Sequence, residues 1–283
     1  GIAAAIQAAR SGKKTVLVEK TILPGGLATS GLVYIYLPIC DGNGHQVTFG
    51  LSEELLKASI QYGPGEIPAN WRNAENAEEQ KRYRCVFSPA AFMLALEEAL
   101  RDAGVDIWYD TLLCDAVVED GRLAAAIVEN ESGRGEIRAK QFIDASGSSV
   151  LARRAGVPCL DGDNFYSLWA LEYRKGAHAG HRMDELGESV VMHFDGAWAN
   201  GDSAVSEERL AKCGFTRESL KEKTVRHPSG KDVSDYILAT RHFLLEYYRD
   251  LHASGQFDRR SCYALKLPAM PQFRKISCIQ GEY

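Results

Sequence analysis

The first twenty residues place the strongest limit on what this chain can fold into. Residues 1–12 are rich in alanine, the best helix former, and Gly12 fits the left-handed residue that commonly follows a last helical turn. Residues 15–19 form a short β-branched run that is typical of a buried parallel strand. A helix that leads into an apolar strand ending in an acid is the second half of a dinucleotide-binding βαβ unit.

Gly1 and Glu19 fit two fixed positions of such a unit. Its first strand ends in G-x-G-x-x-G, where the third glycine lets the helix pack closely on the strand, and a later acid binds the adenosine ribose. Glu19 follows Gly1 by 18 residues, so we interpret Gly1 as the third glycine, with the first strand and the two earlier glycines outside the given sequence. An ordinary amphipathic helix followed by a strand that ends in glutamate is the alternative interpretation.

The composition is that of an ordinary soluble globular protein. The 283 residues carry a net charge of −5 and 45% of them are hydrophobic, which predicts one large or two ordinary domains and excludes a disordered chain. Mild acidity disfavours nucleic acid as a partner. The most apolar stretch, residues 1–9, is far shorter than the ~20 residues of a membrane span and lacks the basic segment of a signal peptide.

The cysteines indicate a reducing compartment. The seven cysteines are scattered singly, without a C-x-x-C pair, which is typical of reduced thiols in a cytoplasmic protein. We therefore expect neither a disulfide framework nor a metal site.

Further along, turn and cap residues divide the chain into short elements. Ser52 is expected to cap a helix that runs towards Tyr62, and Ser88 with Pro89 opens the next one. Asp120-Gly121 predicts a hairpin turn. The strands are expected at 105–109, 112–118, 123–129, 136–140 and 141–147. A helix is expected to begin near Ser149.

The pattern changes near residue 160. Strands are expected at 166–173 and 189–194, a polar helix at 206–223, and a longer helix at 232–251 with an apolar face. Core packing is the favoured interpretation of that apolar face, over any cofactor role.

Four stretches in this order resemble a known group of proteins. They are residues 1–20, the loop G-G-L-A-T-S-G at 25–31, the stretch F-I-D-A-S-G at 142–147, and residues 267–275 followed by 281–283. The chain resembles the FAD-dependent oxidoreductases with the glutathione-reductase-type FAD fold, in particular a bacterial family with a G-G-x-x-T-[SA]-G loop. Ser146 departs from the threonine usual there, and both ends of the family's FAD site lie outside this sequence.

The resemblance implies an α/β fold. It consists of a three-layer FAD/NAD(P)-binding, Rossmann-like domain with a β-meander, plus a smaller α+β substrate domain. The implied boundaries are 1–158 for the FAD-binding domain, 159–266 for the substrate or cap domain, and 267–283 for the return to the FAD-binding domain.

The resemblance also implies FAD as the cofactor and assigns residues to it. The ribose would be bound by Glu19 and flanked by Lys20, next to the helix that Gly1 opens. Leu113 would lie near adenine through its backbone. The path from pyrophosphate to flavin would be lined by Gly25, Gly26 and Thr29. The adenosine pocket would be closed by Ala145, Ser146 and Gly147.

Elimination among sister reactions leaves one class. Disulfide reductases need a C-x-x-x-x-C pair, but Cys40 is the only cysteine in the corresponding region, and neither a second G-x-G-x-x-G nor a cysteine cluster is present. We therefore expect hydride transfer between a small organic substrate and flavin N5. His45 is a candidate base, with a solvated turn histidine as its alternative. Arg274 is a candidate for binding a substrate carboxylate, with a surface ion pair as its alternative.

Two other functions stay open from the sequence. One is a flavin-dependent RNA-modifying protein, which the net charge disfavours, and the other is a non-catalytic dinucleotide-binding module. The sequence gives no indication of the oligomeric state.

Overall fold

The computed structural model shows a mixed α/β protein. The residues that it describes are 1–43, 45–69, 71–72, 83–162, 164–177, 189–197, 203–222, 225, 229–273 and 278–280.

The elements of the first half surround a parallel strand pair and an antiparallel meander. In chain order they are α1 (Ile2–Arg10), β1 (Val16–Val18), a 3₁₀ turn (Gly26–Ala28), β2 (Ile35–Tyr36), α2 (Leu51–Ala58), β3 (Cys85–Val86), α3 (Pro89–Asp102), β4 (Asp106–Trp108), β5 (Leu112–Glu119), β6 (Arg122–Asn130), β7 (Gly133–Arg138) and α4 (Val150–Arg154).

The second half is built on an antiparallel sheet and one long helix. Its elements are β8 (Cys159–Leu160), β9 (Ser167–Arg174), β10 (Val190–Gly196), α5 (Glu207–Lys212), α6 (Arg217–Glu222), α7 (Gly230–Ala253), β11 (Cys262–Lys266) and β12 (Cys278–Ile279).

The predicted opening of the chain is confirmed. α1 ends before Gly12, which has a φ of +75°, and β1 pairs in parallel with β4, with Leu17 opposite Ile107. Ile6 on α1 and Leu100 on α3 are buried in one cluster beside this pair. Parallel strands packed against helices are the arrangement of a Rossmann-like domain.

Caps and turns fix the elements that follow. Pro89 occupies the first turn of α3, and the Ser88 hydroxyl accepts a hydrogen bond from the Ala91 N–H at 3.4 Å. β5, β6 and β7 form an antiparallel meander. Asp120 and Gly121 join β5 to β6 with φ values of +50° and +73°, which is the two-residue turn that their sequence predicts.

The second sheet has the order β10–β9–β11 and two differently packed faces. On one face of β9, Leu168 and Ala170 pack against Leu244 of α7. On the other face, Leu171 packs into the cluster that contains Leu32 and Tyr34. Because side chains alternate along a strand, β9 connects α7 to the first half of the chain.

Three local expectations are wrong. Residues 141–147 do not form a strand, because in the described part of the chain they have no strand to pair with. Ser52 is not the cap of α2: the helix begins at Leu51, and Gly50 precedes it with a φ of +57°, which suits glycine. The helix expected at 206–223 is two helices, because Gly214 ends α5 with a φ of +77°. The domain boundaries stay a prediction.

Candidate active site

Glu19 directly follows β1, and β1 packs beside the start of α1. One carboxylate oxygen of Glu19, Oε1, accepts hydrogen bonds from the Thr21 N–H at 2.9 Å and from its hydroxyl at 3.0 Å. Within the described residues Oε2 accepts none, so it can bind a ribose hydroxyl beside a helix N-terminus.

Gly1 lies between β1 and the stretch that contains Ala145. A methyl group built on Gly1 would be 3.5 Å from the Ala145 Cβ and 3.6 Å from Leu17 Cδ1. Both are ordinary van der Waals distances, so the residues around Gly1 leave room for alanine there. The contacts do place Gly1, β1 and the stretch containing Ala145 side by side.

Lys20 and Leu113 occupy different surroundings. Lys20 is exposed after β1. Leu113 is half-buried on β5 opposite Val128, beside an irregularity in register before Asp115. Both stay predictions as FAD contacts.

The loop at 25–31 is tightly built around Thr29. The buried Thr29 hydroxyl donates to the Pro24 carbonyl at 2.5 Å, and its N–H donates to the Gly26 carbonyl at 3.1 Å. A methyl group at Gly25 would lie 2.6 Å from Thr29 Oγ1, at a φ of +106°. Gly25 is therefore required by the loop itself, and the Thr29 side chain holds the turn.

Gly26 differs from its neighbour because it faces open space. Its φ is +61°, but a methyl group there would have no atom within 4 Å. Gly31 closes the loop, since a methyl group there would lie 2.8 Å from the Leu27 Cα. The half-buried backbone at Gly26, with open space beside it, is thus where a ligand can approach the loop closely.

The stretch at 144–149 is a capping turn. The Asp144 carboxylate accepts from the Ser146 and Ala152 N–H groups, each at 2.9 Å, and the Ser146 hydroxyl accepts from the Val150 N–H at 2.9 Å. Burial raises the pKa of Asp144, but hydrogen bonds from Ser146 and from backbone amides outweigh it, so the pKa is lowered. The Ser146 hydroxyl thus caps α4, and Ala145 and Gly147 are exposed beside it.

Only one of the two catalytic candidates lies among the described residues. His45 lies in an exposed turn, and its Nδ1 is 2.9 Å from Asp41 Oδ2. Hydrogen bonds from His45 and Asn43 hold the Asp41 pKa at about 2. Arg274 lies outside the described residues. The roles of both stay predictions.

One buried residue near the loop was missed by sequence reasoning. Gln272, which is 2% exposed, contacts both Gly31 and Trp169. A lone glutamine carries no local motif, so no sequence signal could have identified it. Thr21, two residues after Glu19, could have been recognised as a turn residue that holds the acid.

Comparison with known proteins agrees with this geometry. The family model described as FAD dependent oxidoreductase matches residues 1–167. This match covers more than half of the 283 residues. The chain therefore belongs to this family, and FAD is the family's cofactor. The open backbone at Gly26 and the free carboxylate oxygen of Glu19 fit such a dinucleotide.

Two curated relatives are archaeal reductases. The digeranylgeranylglycerophospholipid reductase of Picrophilus torridus is 31% identical over 166 residues, which are 56% of this chain and 40% of that protein. The enzyme of the same name from Thermoplasma volcanium is 27% identical over 175 residues, or 62% of this chain and 43% of that protein. The matched region thus spans less than half of either relative.

A solved structure shares the fold. The geranylgeranyl bacteriochlorophyll reductase-like protein from Thermoplasma acidophilum has a TM-score of 0.50 at 18% identity, covering 99% of this chain and 63% of its own. The Rossmann-like α/β fold is thereby confirmed. None of the helices in the described part of the chain combines the length and apolarity needed to cross a membrane.

Proposed function

We propose that this chain is part of an FAD-dependent oxidoreductase in which a hydride passes between a carbon of a small organic substrate and flavin N5. The observation that carries the proposal is the start of α1 beside β1, the strand that Glu19 follows, at one end of the site and the open backbone of Gly26 at the other. When bound, FAD supplies the redox chemistry. The names of the two curated relatives favour reduction of the substrate.

The adenosine end would be held by Glu19 and the start of α1. Thr21 fixes one carboxylate oxygen of Glu19, so the other is oriented before a ligand arrives. The pyrophosphate would lie near the N-terminus of α1, where backbone N–H groups favour an anion.

The substrate would bind where the loop at 25–31 meets the second sheet. Leu171 of β9 packs with Leu32 and Tyr34 just after the loop, and Trp169 lies two residues earlier on the same face. These side chains are buried core contacts, so they would hold the loop against β9 beside the substrate without touching it themselves.

His45 is the proposed proton-transfer residue. Its Nδ1 faces Asp41 at 2.9 Å, which favours the tautomer that keeps the proton on Nδ1. Nε2 is then the ring nitrogen that can accept a proton from a substrate. Arg274 is proposed to bind a substrate carboxylate.

The visible spectrum of the purified full-length protein tests the proposal. We expect absorption maxima near ~370 and ~450 nm from bound flavin, and release of FAD after denaturation. Both bands should bleach on reduction and return when the protein is reoxidised. A well-folded full-length protein that is colourless and takes up no added FAD would overturn the proposal. Bound flavin that cannot be reduced would instead favour the non-catalytic module.

A further inference from the structure

Gln272 lies where three parts of the chain meet. It follows β11 in a segment that passes between β9 and the loop at 25–31. Its side chain is 2% exposed. Two other contacts of this segment reach the loop: the Ala269 N–H donates to the Ser30 carbonyl at 2.8 Å, and the Ser30 hydroxyl lies 3.3 Å from Met270 Sδ.

All the hydrogen-bonding atoms of the Gln272 side chain are used. Oε1 accepts from the Trp169 N–H at 2.5 Å. Nε2 donates to the Trp169 carbonyl at 3.1 Å and also to the Gly31 carbonyl. A glutamine amide has two N–H donors and one carbonyl acceptor, so one side chain binds β9 twice and the loop once.

The two hydrogen bonds to Trp169 take the place of backbone pairing that β11 does not supply at this position of β9. β11 pairs with β9 as far as Lys266 opposite Leu171, and then leaves it. Backbone groups on one edge of a strand recur every second residue, so Trp169 is the next position on that edge. The Gln272 amide supplies there both the acceptor and the donor that a neighbouring strand would give.

We propose that Gln272 is a positioning residue, which fixes the Gly31 end of the loop relative to β9. The consequence of this positioning for catalysis rests on the proposed function, in which the loop would pass the flavin and β9 would face the substrate. The Gln272 amide then helps to set the distance between the loop backbone, which would lie beside the flavin, and the sheet, which would lie beside the substrate. Other contacts of the segment, at Ala269 and Met270, stabilise the same arrangement but do not reach β9 by side chain.

The test compares Gln272→Glu with Tyr236→Phe in the full-length protein. The first change preserves the size of the side chain and the acceptor for Trp169 but removes both donors. The second removes buried bonds to Ser167 on the same strand, where the Tyr236 hydroxyl donates to the Ser167 carbonyl at 2.9 Å. Tyr236→Phe also removes a 3.4 Å contact of the hydroxyl with the Gln272 backbone carbonyl, but it leaves the three hydrogen bonds of the Gln272 side chain intact. It therefore controls for a general loss of stability in the same strand and segment.

Hydrogen exchange of the FAD-free protein is the first measurement. In Gln272→Glu, we expect peptides covering residues 29–33 to exchange about 10-fold faster, with α1 and α3 unchanged. In Tyr236→Phe, residues 29–33 should exchange at the wild-type rate. Unchanged exchange of the loop in Gln272→Glu, or an equal acceleration in Tyr236→Phe, would overturn the positioning role. If Gln272→Glu does not fold, Gln272→Met, which has similar volume and no charge, gives the same comparison.

The flavin spectrum and reduction potential are the second measurement. Both should shift in Gln272→Glu and stay at the wild-type values in Tyr236→Phe. A flavin unaffected by Gln272→Glu would contradict the link to the cofactor. If the wild-type protein binds no flavin, the proposed function fails, whereas the exchange experiment still decides whether Gln272 positions the loop.

Discussion

Replacing Asp195 by alanine is expected to lower the free energy of unfolding by about 3–5 kcal/mol, the usual cost of removing one partner of a buried ion pair. Asp195 is fully buried on β10, and its Oδ1 accepts from Arg209 at 2.7 Å. Its Oδ2 lies 3.0 Å from His193 Nε2, without the directional geometry of a hydrogen bond. The substitution would leave the Arg209 guanidinium buried without its carboxylate.

A larger buried network surrounds this pair beneath α7. Glu172 on β9, also fully buried, pairs with Arg174 at 2.8 Å and accepts from the Tyr248 hydroxyl at 3.0 Å. Burial, followed by the charge of Glu172, raises the pKa of Tyr248, so its phenol stays protonated and donates. Two carboxylates are balanced by two guanidinium groups, with the His193 ring between the carboxylates.

Urea unfolding of the wild-type protein and two variants measures this effect. Asp250→Ala is the matched control, because Asp250 pairs with Lys212 at 2.7 Å on the surface. We expect that control to differ little from the wild type, since exposed ion pairs contribute little. A loss in Asp195→Ala no larger than that in Asp250→Ala would contradict the importance of the buried network.

Gly25→Ala is expected to destabilise the protein by roughly 2–4 kcal/mol, because a methyl group adds both left-handed strain and a steric clash. The clash is with Thr29, whose Oγ1 and Cγ2 would each lie 2.6 Å from the new carbon. The Thr29 hydroxyl would have to leave the Pro24 carbonyl, which opens the turn. We expect FAD binding to be lost together with the loop geometry.

Gly26→Ala, at the next position, is expected to weaken ligand binding while costing little stability. Its methyl group would enter open space at a φ of +61°, so we expect a loss of only about 1–2 kcal/mol from backbone strain. FAD affinity should nevertheless fall, because the methyl group occupies the approach to the loop. Thermal unfolding of the FAD-free variants and FAD titration measure the two effects. Equal stability of the two variants would contradict this account of the loop.

The sequence was sufficient to predict those turns and helix ends that are set by the backbone preference of one or two residues. Ser88-Pro89 determines the start of α3, and Asp120-Gly121 determines the turn between β5 and β6. Residues 141–147 show where this fails. An apolar run favours extended backbone, but a strand also needs a hydrogen-bonding neighbour, and that depends on the rest of the sheet.

The buried polar contacts could not be predicted for a related reason. Asp195 lies on β10 and Arg209 on α5, and each charge acquires its partner only when those two elements pack together. Gln272 likewise reaches Gly31 across most of the chain. Glu19 is the opposite case, because its place after a short apolar strand is enough to predict a ribose-binding role from the sequence alone.

The dissociation constant of FAD from the full-length protein tests the central claim most directly. In Glu19→Gln, the remaining carbonyl oxygen can still accept from Thr21, so the turn is preserved and only the charged ligand for the ribose is lost. We expect binding at least about 10-fold weaker, the usual cost of a charged hydrogen bond. Glu54→Gln, which removes an exposed carboxylate paired with Arg10 on α1, should bind FAD like the wild type. Equal affinity of the Glu19→Gln variant and the wild type would contradict the assignment of this site to the adenosine end of FAD.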